Sequence, residues 1–279
     1  MIEIAETTLT TRDGARLAAR WLSPPDPGPT VVLHPATAAP ARFYAPFAEW
    51  LARHARARVL LYDYRDCGLS IRPGRASASM SDWLALDQDA ALDAAARAAG
   101  EGPLDVVGHS LGGLGLMFHA AAPRVRRLVA VASGPAWRRR HPLRMAPQIA
   151  AFWFLVGPAT SRLLGHVPRR ITGFGADVPR EAFAQWKRWC AQPHFHRVDW
   201  GGALPRPDLG AFSGELRIVA AEDDGMIPPA TARRLADLYP AATPRLALLT
   251  RAAAGGLVIG HDGMFRASRG ALWPAIWGA

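Results

Sequence analysis

The serine at position 110 lies in a pattern that can turn its hydroxyl into a nucleophile. Residues 106–113 read Val-Val-Gly-His-Ser-Leu-Gly-Gly, which puts Ser110 in a Gly-x-Ser-x-Gly motif. The residues before it predict a strand and those after it a helix, so the serine falls on a sharp strand-to-helix turn. Such a turn strains the backbone and exposes the hydroxyl, while the flanking glycines avoid clashes with neighbouring backbone.

A neutral hydroxyl needs a base to take its proton, and the base needs a carboxylate to orient it. In folds with a serine turn of this kind, both groups follow the serine along the chain. The other histidines after Ser110, from His119 to His196, precede a predicted strand at 216–221. Only His261 lies beyond that strand, in a Gly-His-Asp-Gly loop, so we predict His261 as the base.

The orienting carboxylate is expected in the loop after the strand at 216–221. Glu222, Asp223 and Asp224 all lie there, before a Pro-Pro pair that opens a helix. We predict Asp224, with Asp223 as the alternative. The choice stays open at this stage because loop geometry, and not spacing, decides which carboxylate points inward.

A tetrahedral intermediate also needs backbone donors for its oxyanion. One donor is expected to be the amide of Leu111, directly after the nucleophile. The other is expected in the loop that follows the first parallel strand, which reads His-Pro-Ala-Thr-Ala from position 34. Pro35 has no amide hydrogen, so we predict Ala36 as the second donor and keep Thr37 as the alternative.

The elements around these residues predict an α/β architecture, in which a mostly parallel sheet is flanked by helices. Short apolar runs alternate with helical patterns, as in a sheet with crossover helices. Two runs before Thr30 predict an antiparallel edge. The buried strands are predicted at 30–34, 58–62, 104–107, 127–131, 216–221 and 245–249, and the helices at 41–55, 81–99, 111–121 and 229–238, with a closing helix at the end.

The alternation stops at residue 134 and resumes near 214, which predicts a helical cap inserted into one domain. The core domain would then comprise residues 1–133 and 214–279, and the cap residues 134–213. Tryptophans are frequent in this segment, and apolar pockets favour such side chains. We expect Thr37, His109, Trp137 and Trp153 to contact the substrate.

The chain carries a formal net charge of +10, which raises nucleic acid or an anionic membrane as a partner. The cations are scattered along the chain, and nearly all are arginines, with Lys187 the only lysine. Alanine is also frequent, which is typical of a compositional bias of the source genome. We therefore predict a small-molecule substrate and no nucleic acid.

An arginine-rich run at 138–144 precedes an apolar stretch at 145–158. This arrangement leaves membrane-surface attachment open, but the stretch is too short to span a bilayer. The oligomeric state stays open.

Several further features point away from special chemistry or targeting. Cys67 and Cys190 are far apart and predict neither a disulfide framework nor a metal site. His194 and His196 match no common zinc spacing. We predict no metal and no cofactor. The first ten residues carry acids where a signal peptide has cations, so a cytoplasmic location is expected.

Together these motifs resemble the α/β-hydrolase superfamily, and more narrowly bacterial predicted α/β hydrolases similar to serine aminopeptidase-like and monoglyceride lipase-like enzymes. The resemblance runs nearly end to end. Its carriers are HPAT at 34–37, YDYRDCGLS at 62–70, GHSLGG at 108–113, EDDGMIPP at 222–229, GHDGMFR at 260–266 and the segment QWKRWC at 185–190. Two departures are Asp66 and Pro35, at positions where relatives usually carry glycine.

The resemblance implies hydrolysis of an ester, thioester or amide through an acyl-enzyme on Ser110, with no cofactor. The predicted substrate is small and partly apolar. Two alternatives remain open. An acyltransferase would use the same triad with another acceptor, and a non-catalytic binding protein would keep the fold alone.

Overall fold

One eight-stranded sheet organises the chain in the computed structural model, which describes residues 1–71 and 76–278. Its strands are β1 Glu3–Thr10, β2 Arg16–Ser23, β3 Thr30–His34, β4 Arg58–Tyr62, β5 Leu104–His109, β6 Val125–Val131, β9 Glu215–Ala221 and β10 Thr243–Leu249. Their order in the sheet is β1-β2-β4-β3-β5-β6-β9-β10. The first two strands pair antiparallel with each other, β2 pairs antiparallel with β4, and all later pairs are parallel.

The predicted fold class and the antiparallel edge are therefore confirmed. The residues of β3 and β5 are buried throughout, as expected for central strands covered on both faces. One apolar cluster on the sheet includes Tyr62, Trp83 and Leu92. A second cluster includes Phe47 and Trp273. The two layers hold the sheet rigidly, so the loops at the carboxyl ends of its strands are well positioned to carry chemistry.

Helices flank this sheet and follow most of the predicted ranges. The α-helical bounds are α1 Ala45–His54, α2 Met80–Asp82, α3 Gln88–Ala99, α4 Ala146–Ala151, α5 Gly157–Leu164, α6 Arg169–Thr172, α7 Arg180–Cys190, α8 Pro229–Arg233 and α9 Trp273–Trp277. A π-helical turn at Trp83–Asp87 joins α2 to α3, and another at Phe152–Val156 joins α4 to α5. The N-cap of α2 is Ser79, whose hydroxyl accepts the amide of Asp82, and the helix begins at Met80, one residue before the predicted start at 81.

The predicted helix at 111–121 is wrong. Three short 3-10 turns replace it, at Ser110–Gly113, Leu116–Phe118 and Ala122–Arg124. Glycines at 112, 113 and 115 weaken a helix there because glycine loses the most backbone freedom on ordering. A side chain at Gly115 would overlap the Gln88 amide, so close packing against α3 is what this glycine allows.

Segment 134–213, between β6 and β9, contributes no strand to the eight-stranded sheet among the described residues. It holds α4 to α7 and a small antiparallel pair, β7 His166–Val167 with β8 Val178–Pro179. Gln185 ties it to the core, because its side-chain oxygen accepts the amide of Ser81 at 2.9 Å. Its role as a cap stays a prediction.

Candidate active site

Ser110 follows β5 directly and adopts a left-handed backbone conformation with φ +52°. A non-glycine residue in this region is strained, and such strain concentrates at functional turns. The flanking glycines make the turn possible. A Cβ at Gly112 would overlap the carbonyl oxygen of His34, and one at Gly108 would overlap the backbone of Gly112.

His261 and Asp224 meet at the carboxyl edge of the sheet. Nδ1 of His261 lies 2.9 Å from Oδ2 of Asp224, and the Asp224 side chain is fully buried. The other carboxylate oxygen, Oδ1, accepts the amides of Met226 and Ile227 at 2.8 and 2.9 Å. These bonds hold the carboxylate in one orientation toward the imidazole.

Asp223 points to a different target. Its two carboxylate oxygens accept the amides of Ile259 and Gly260 at 3.0 and 2.8 Å. Asp223 therefore fastens the backbone just before His261, while Asp224 contacts the ring itself. The third acid of the run, Glu222, accepts the amide of Arg251 at 2.6 Å.

The pKa of His261 reflects this pairing. Burial lowers it, but the hydrogen bond and charge of Asp224 outweigh burial, so the pKa ends above its ordinary value. When Nδ1 donates to Asp224, Nε2 is the nitrogen that remains to accept a proton.

His109 is fully buried and is not among the residues that line the cavity in the described chain, so its contact with substrate stays a prediction. Its Nδ1 lies 2.8 Å from the Tyr44 hydroxyl, and its Nε2 lies 3.2 Å from the carbonyl oxygen of His261. Burial, together with the neighbouring His261, lowers the pKa of His109 to about 3, so this ring is neutral. It is therefore placed to support the His261 loop from beneath.

The predicted oxyanion donors differ in availability. The Ala36 amide donates to the Tyr44 hydroxyl at 2.9 Å, so it is already engaged. Within residues 1–71 and 76–278, the amides of Leu111 and Thr37 have no hydrogen-bond partner. All three residues line the cavity that also contains Ser110. Of the two alternatives that the sequence left open, the Thr37 amide is therefore the one available to donate to an oxyanion.

A cavity of about 770 Å³ joins these groups, with Ser110 and His261 in its wall. Its remaining surface is largely apolar, and the Phe152, Trp153 and Trp186 rings pack edge to face on one side. Thr37 and Trp153 line it as predicted, whereas Trp137 is not among the lining residues found in the described chain. The Trp137 ring instead lies beneath the guanidinium groups of Arg139 and Arg140.

The alpha/beta hydrolase family matches residues 31–269. The chain belongs to this family. The resemblance read from the motifs is therefore confirmed at the level of the superfamily, and membership supports a hydrolase. The narrower likeness to serine aminopeptidase-like and monoglyceride lipase-like enzymes stays a prediction.

Solved structures of other proteins share this alpha/beta hydrolase fold at low sequence identity. A hydrolase from Pseudomonas aeruginosa PA01 is 22% identical with a TM-score of 0.58, covering 98% of each chain. The 2-hydroxy-6-oxo-6-phenylhexa-2,4-dienoate hydrolase from Rhodococcus sp. strain RHA1 is 19% identical with a TM-score of 0.58, covering 100% of each chain. A thermophilic esterase from Thermogutta terrifontis is 17% identical with a TM-score of 0.56, covering 98% of this chain and 97% of its own.

The site of this alpha/beta hydrolase also contains residues that the motifs did not reveal. Tyr44 links the Ala36 amide to His109, yet these partners are 8 and 65 residues away in sequence, so no local pattern marks it. Arg42 and Arg266 line the cavity together with Asp262. Asp262 and Arg266 both lie in the GHDGMFR segment with His261, which was the available sequence signal for these two.

The departure at Asp66 has a structural answer. Asp66 adopts φ +59°, in the left-handed region that favours glycine, and its carboxylate accepts the amides of Ser77 and Ala78 at 2.9 Å. The aspartate thus stabilises a turn of its own and is absent from the described cavity lining.

One group of side chains has the composition of a metal site. His109, His261 and Asp262 bring one ligand atom each within 4.8 Å of one another. Three of the four histidine nitrogens nevertheless have other partners, since His261 Nδ1 pairs with Asp224 and both His109 nitrogens are hydrogen bonded. The cluster fits a hydrogen-bonded site better than a metal site.

Proposed function

We propose that this alpha/beta hydrolase is a serine hydrolase that cleaves an ester, thioester or amide through an acyl-enzyme on Ser110. Its substrate is small and partly apolar. The observation that carries the proposal is the 2.9 Å contact between His261 Nδ1 and Asp224 Oδ2 in a cavity that Ser110 also lines. Carboxylic esters are the first substrates to test, since the apolar cavity suits an acyl chain.

In this mechanism, His261 Nε2 takes the proton of the Ser110 hydroxyl as the oxygen attacks the substrate carbonyl. Asp224 stabilises the resulting imidazolium. The imidazolium then gives its proton to the leaving group, which departs and leaves the acyl group on Ser110. His261 then takes a proton from water as the water oxygen attacks the acyl-enzyme. The bond from the acyl carbon to the Ser110 oxygen breaks, the acid leaves, and the imidazolium returns its proton to that oxygen, which restores the hydroxyl.

The developing oxyanion needs two amide donors. Leu111 supplies the first in this proposal. The second is the Thr37 amide, because the Ala36 amide would have to give up its hydrogen bond to Tyr44 before it could donate. Ala36 remains the donor predicted from sequence, and Tyr44→Phe, discussed below, distinguishes the two.

A fluorophosphonate probe tests the nucleophile directly. Labelling of the wild-type protein that disappears in Ser110→Ala, but persists in the exposed-site control Ser268→Ala, supports an activated Ser110. Circular dichroism of each variant checks that it is folded. Absence of labelling in folded wild type would favour the non-catalytic alternative.

A panel of p-nitrophenyl esters of graded acyl length then bounds the substrate. Ile149 lines the cavity, so Ile149→Trp should lower kcat/KM for long acyl chains more than for short ones. Leu163→Trp is the control, because Leu163 is exposed and lies outside the cavity wall. Product analysis with an added alcohol separates hydrolysis from acyl transfer, since mainly ester product would identify a transferase.

A further inference from the structure

The outer face of the helical segment 146–164 is apolar although it faces solvent. This segment runs from α4 through the π-helical turn into α5. Phe154, Leu155 and Leu163 are 59%, 68% and 83% exposed. We call the following exposed residues the outer stripe: Ala150, Ala151, Phe154, Leu155, Ala159 and Leu163. They recur at helical spacing, so they share one side of the helix.

The opposite side of the same helix is already used. Ile149, Phe152 and Trp153 line the cavity, and Trp153 is buried against Phe183 and Trp186. The helix is therefore apolar on both sides. A helix of this kind is normally covered by other protein or by lipid, and in the described chain nothing covers the outer stripe.

The segment that carries the stripe has charges of one sign, and the first acids after it are Asp177 and Glu181. Residues 134–176 contain seven arginines and no aspartate or glutamate. Two cations lie against the stripe itself, since Arg138 is 5.5 Å and Lys187 5.2 Å from the centre of the Phe154 ring. The arginines are Arg138, Arg139, Arg140, Arg144, Arg162, Arg169 and Arg170.

This charge decides between two possible occupants of the stripe. A second copy of the chain, paired stripe to stripe, would bring two sets of seven arginines together with no acid from either segment to neutralise them. An anionic bilayer supplies the missing charge in its phosphates and takes the apolar side chains below them.

We propose that the outer stripe and its arginines bind the surface of an anionic phospholipid bilayer. Phe154, Leu155 and Leu163 insert at the level of the acyl boundary, and the arginines pair with lipid phosphates. Ile149 and Phe152 of the same helix line the cavity, so binding places the cavity directly behind the helix that meets the lipid. The proposal concerns binding alone and does not depend on the chemistry at Ser110.

Flotation with vesicles tests it. Phosphatidylcholine vesicles containing phosphatidylglycerol should bind the wild-type chain at low salt, and added salt should weaken this binding. Vesicles of phosphatidylcholine alone should bind at least tenfold more weakly, since each arginine near an anionic surface contributes roughly a fivefold gain in affinity.

The decisive variant is F154S/L155S/L163S, whose three positions are exposed and so leave the core intact. It should bind phosphatidylglycerol vesicles at least tenfold more weakly than wild type. The matched control I4S/L69S/L248S removes three exposed apolar side chains elsewhere on the surface and should bind as wild type does. Thermal melts check that both variants are folded.

A second measurement covers the case in which the triple variant does not fold. Cys67 is buried, whereas Cys190 is buried but lines the cavity, so Cys190 is first replaced by serine. A cysteine at Leu163 can then be labelled selectively with an environment-sensitive fluorophore. Its emission should shift to the blue with phosphatidylglycerol vesicles and not with phosphatidylcholine alone. The proposal is overturned if the wild-type chain does not bind vesicles at low salt, or if the triple substitution leaves binding unchanged. It is also overturned if the chain does not bind vesicles but forms a dimer that the triple substitution disrupts.

Discussion

Asp223 and Asp224, adjacent in sequence, hold His261 in two different ways. Asp224 contacts Nδ1 of the imidazole at 2.9 Å, whereas Asp223 accepts the amides of Ile259 and Gly260 in the backbone leading to it. One carboxylate therefore acts on the ring and the other on the loop that carries the ring.

We expect Asp224→Asn to lower kcat by roughly 10⁴-fold, because the amide neither stabilises an imidazolium nor favours the correct tautomer. Asp223→Asn should cost much less, since one oxygen still accepts an amide. Ester hydrolysis under saturating substrate measures both. Full activity in Asp224→Asn together with loss in Asp223→Asn would assign the acid to Asp223.

The pH profile of the enzyme should report the environment of His261. A base must be neutral to accept a proton, and Asp224 raises the pKa of His261 above its ordinary 6.5. We therefore expect kcat/KM to rise with pH through an inflection above 6.5. In Asp224→Asn only the smaller raising effect of the Asp262 charge remains while burial still lowers the pKa, so the residual activity should inflect at lower pH. An inflection at the same pH in wild type and Asp224→Asn would show that the pH profile does not report the His261–Asp224 pair.

Tyr44→Phe tests the link between the Ala36 amide and His109. Loss of the hydroxyl leaves a buried amide and a buried ring nitrogen without their partner, which should lower the free energy of unfolding by about 1–3 kcal/mol. With Thr37 as oxyanion donor, a shifted His261 loop should lower kcat with little change in KM. With Ala36 as donor, the freed amide should keep or raise kcat.

The control for this substitution is Tyr239→Phe. Tyr239 is also buried, and its hydroxyl donates to the Gly113 carbonyl oxygen at 2.9 Å, without contact to His109. We expect a similar loss of stability in urea denaturation and an unchanged kcat. Equal kcat values for the two phenylalanine variants would contradict Thr37 as the second donor and favour Ala36.

Gly112→Ala should disrupt the turn that holds Ser110. The added Cβ overlaps the carbonyl oxygen of His34, and backbone cannot move aside as a flexible side chain can. We expect a loss of about 3 kcal/mol or more in the free energy of unfolding. Gly202→Ala is the control, because its nearest neighbour is the Asp199 carbonyl oxygen at an ordinary 3.5 Å. Comparable urea midpoints for the two would contradict this account.

The sequence alone was sufficient for features with a local signature. Short, mostly apolar runs such as 104–107 predict buried strands because they are too short to be helices. Ser110 stands out because its glycines and its place after a strand occur within a few residues. His261 follows from chain order in the same way. The eight-stranded sheet confirms the fold class that these patterns indicated.

Tertiary structure decided whatever depends on contacts between distant segments. The helix expected at 111–121 is broken because its glycines pack against His34 and Gln88, which its apolar spacing cannot reveal. The choice between Asp223 and Asp224 is set by how one loop meets another. The Ala36 amide is engaged by Tyr44, whose hydroxyl also contacts His109 at the end of β5. Spacing determined which residue types lie at the edge of the sheet, and packing determined which atoms meet there.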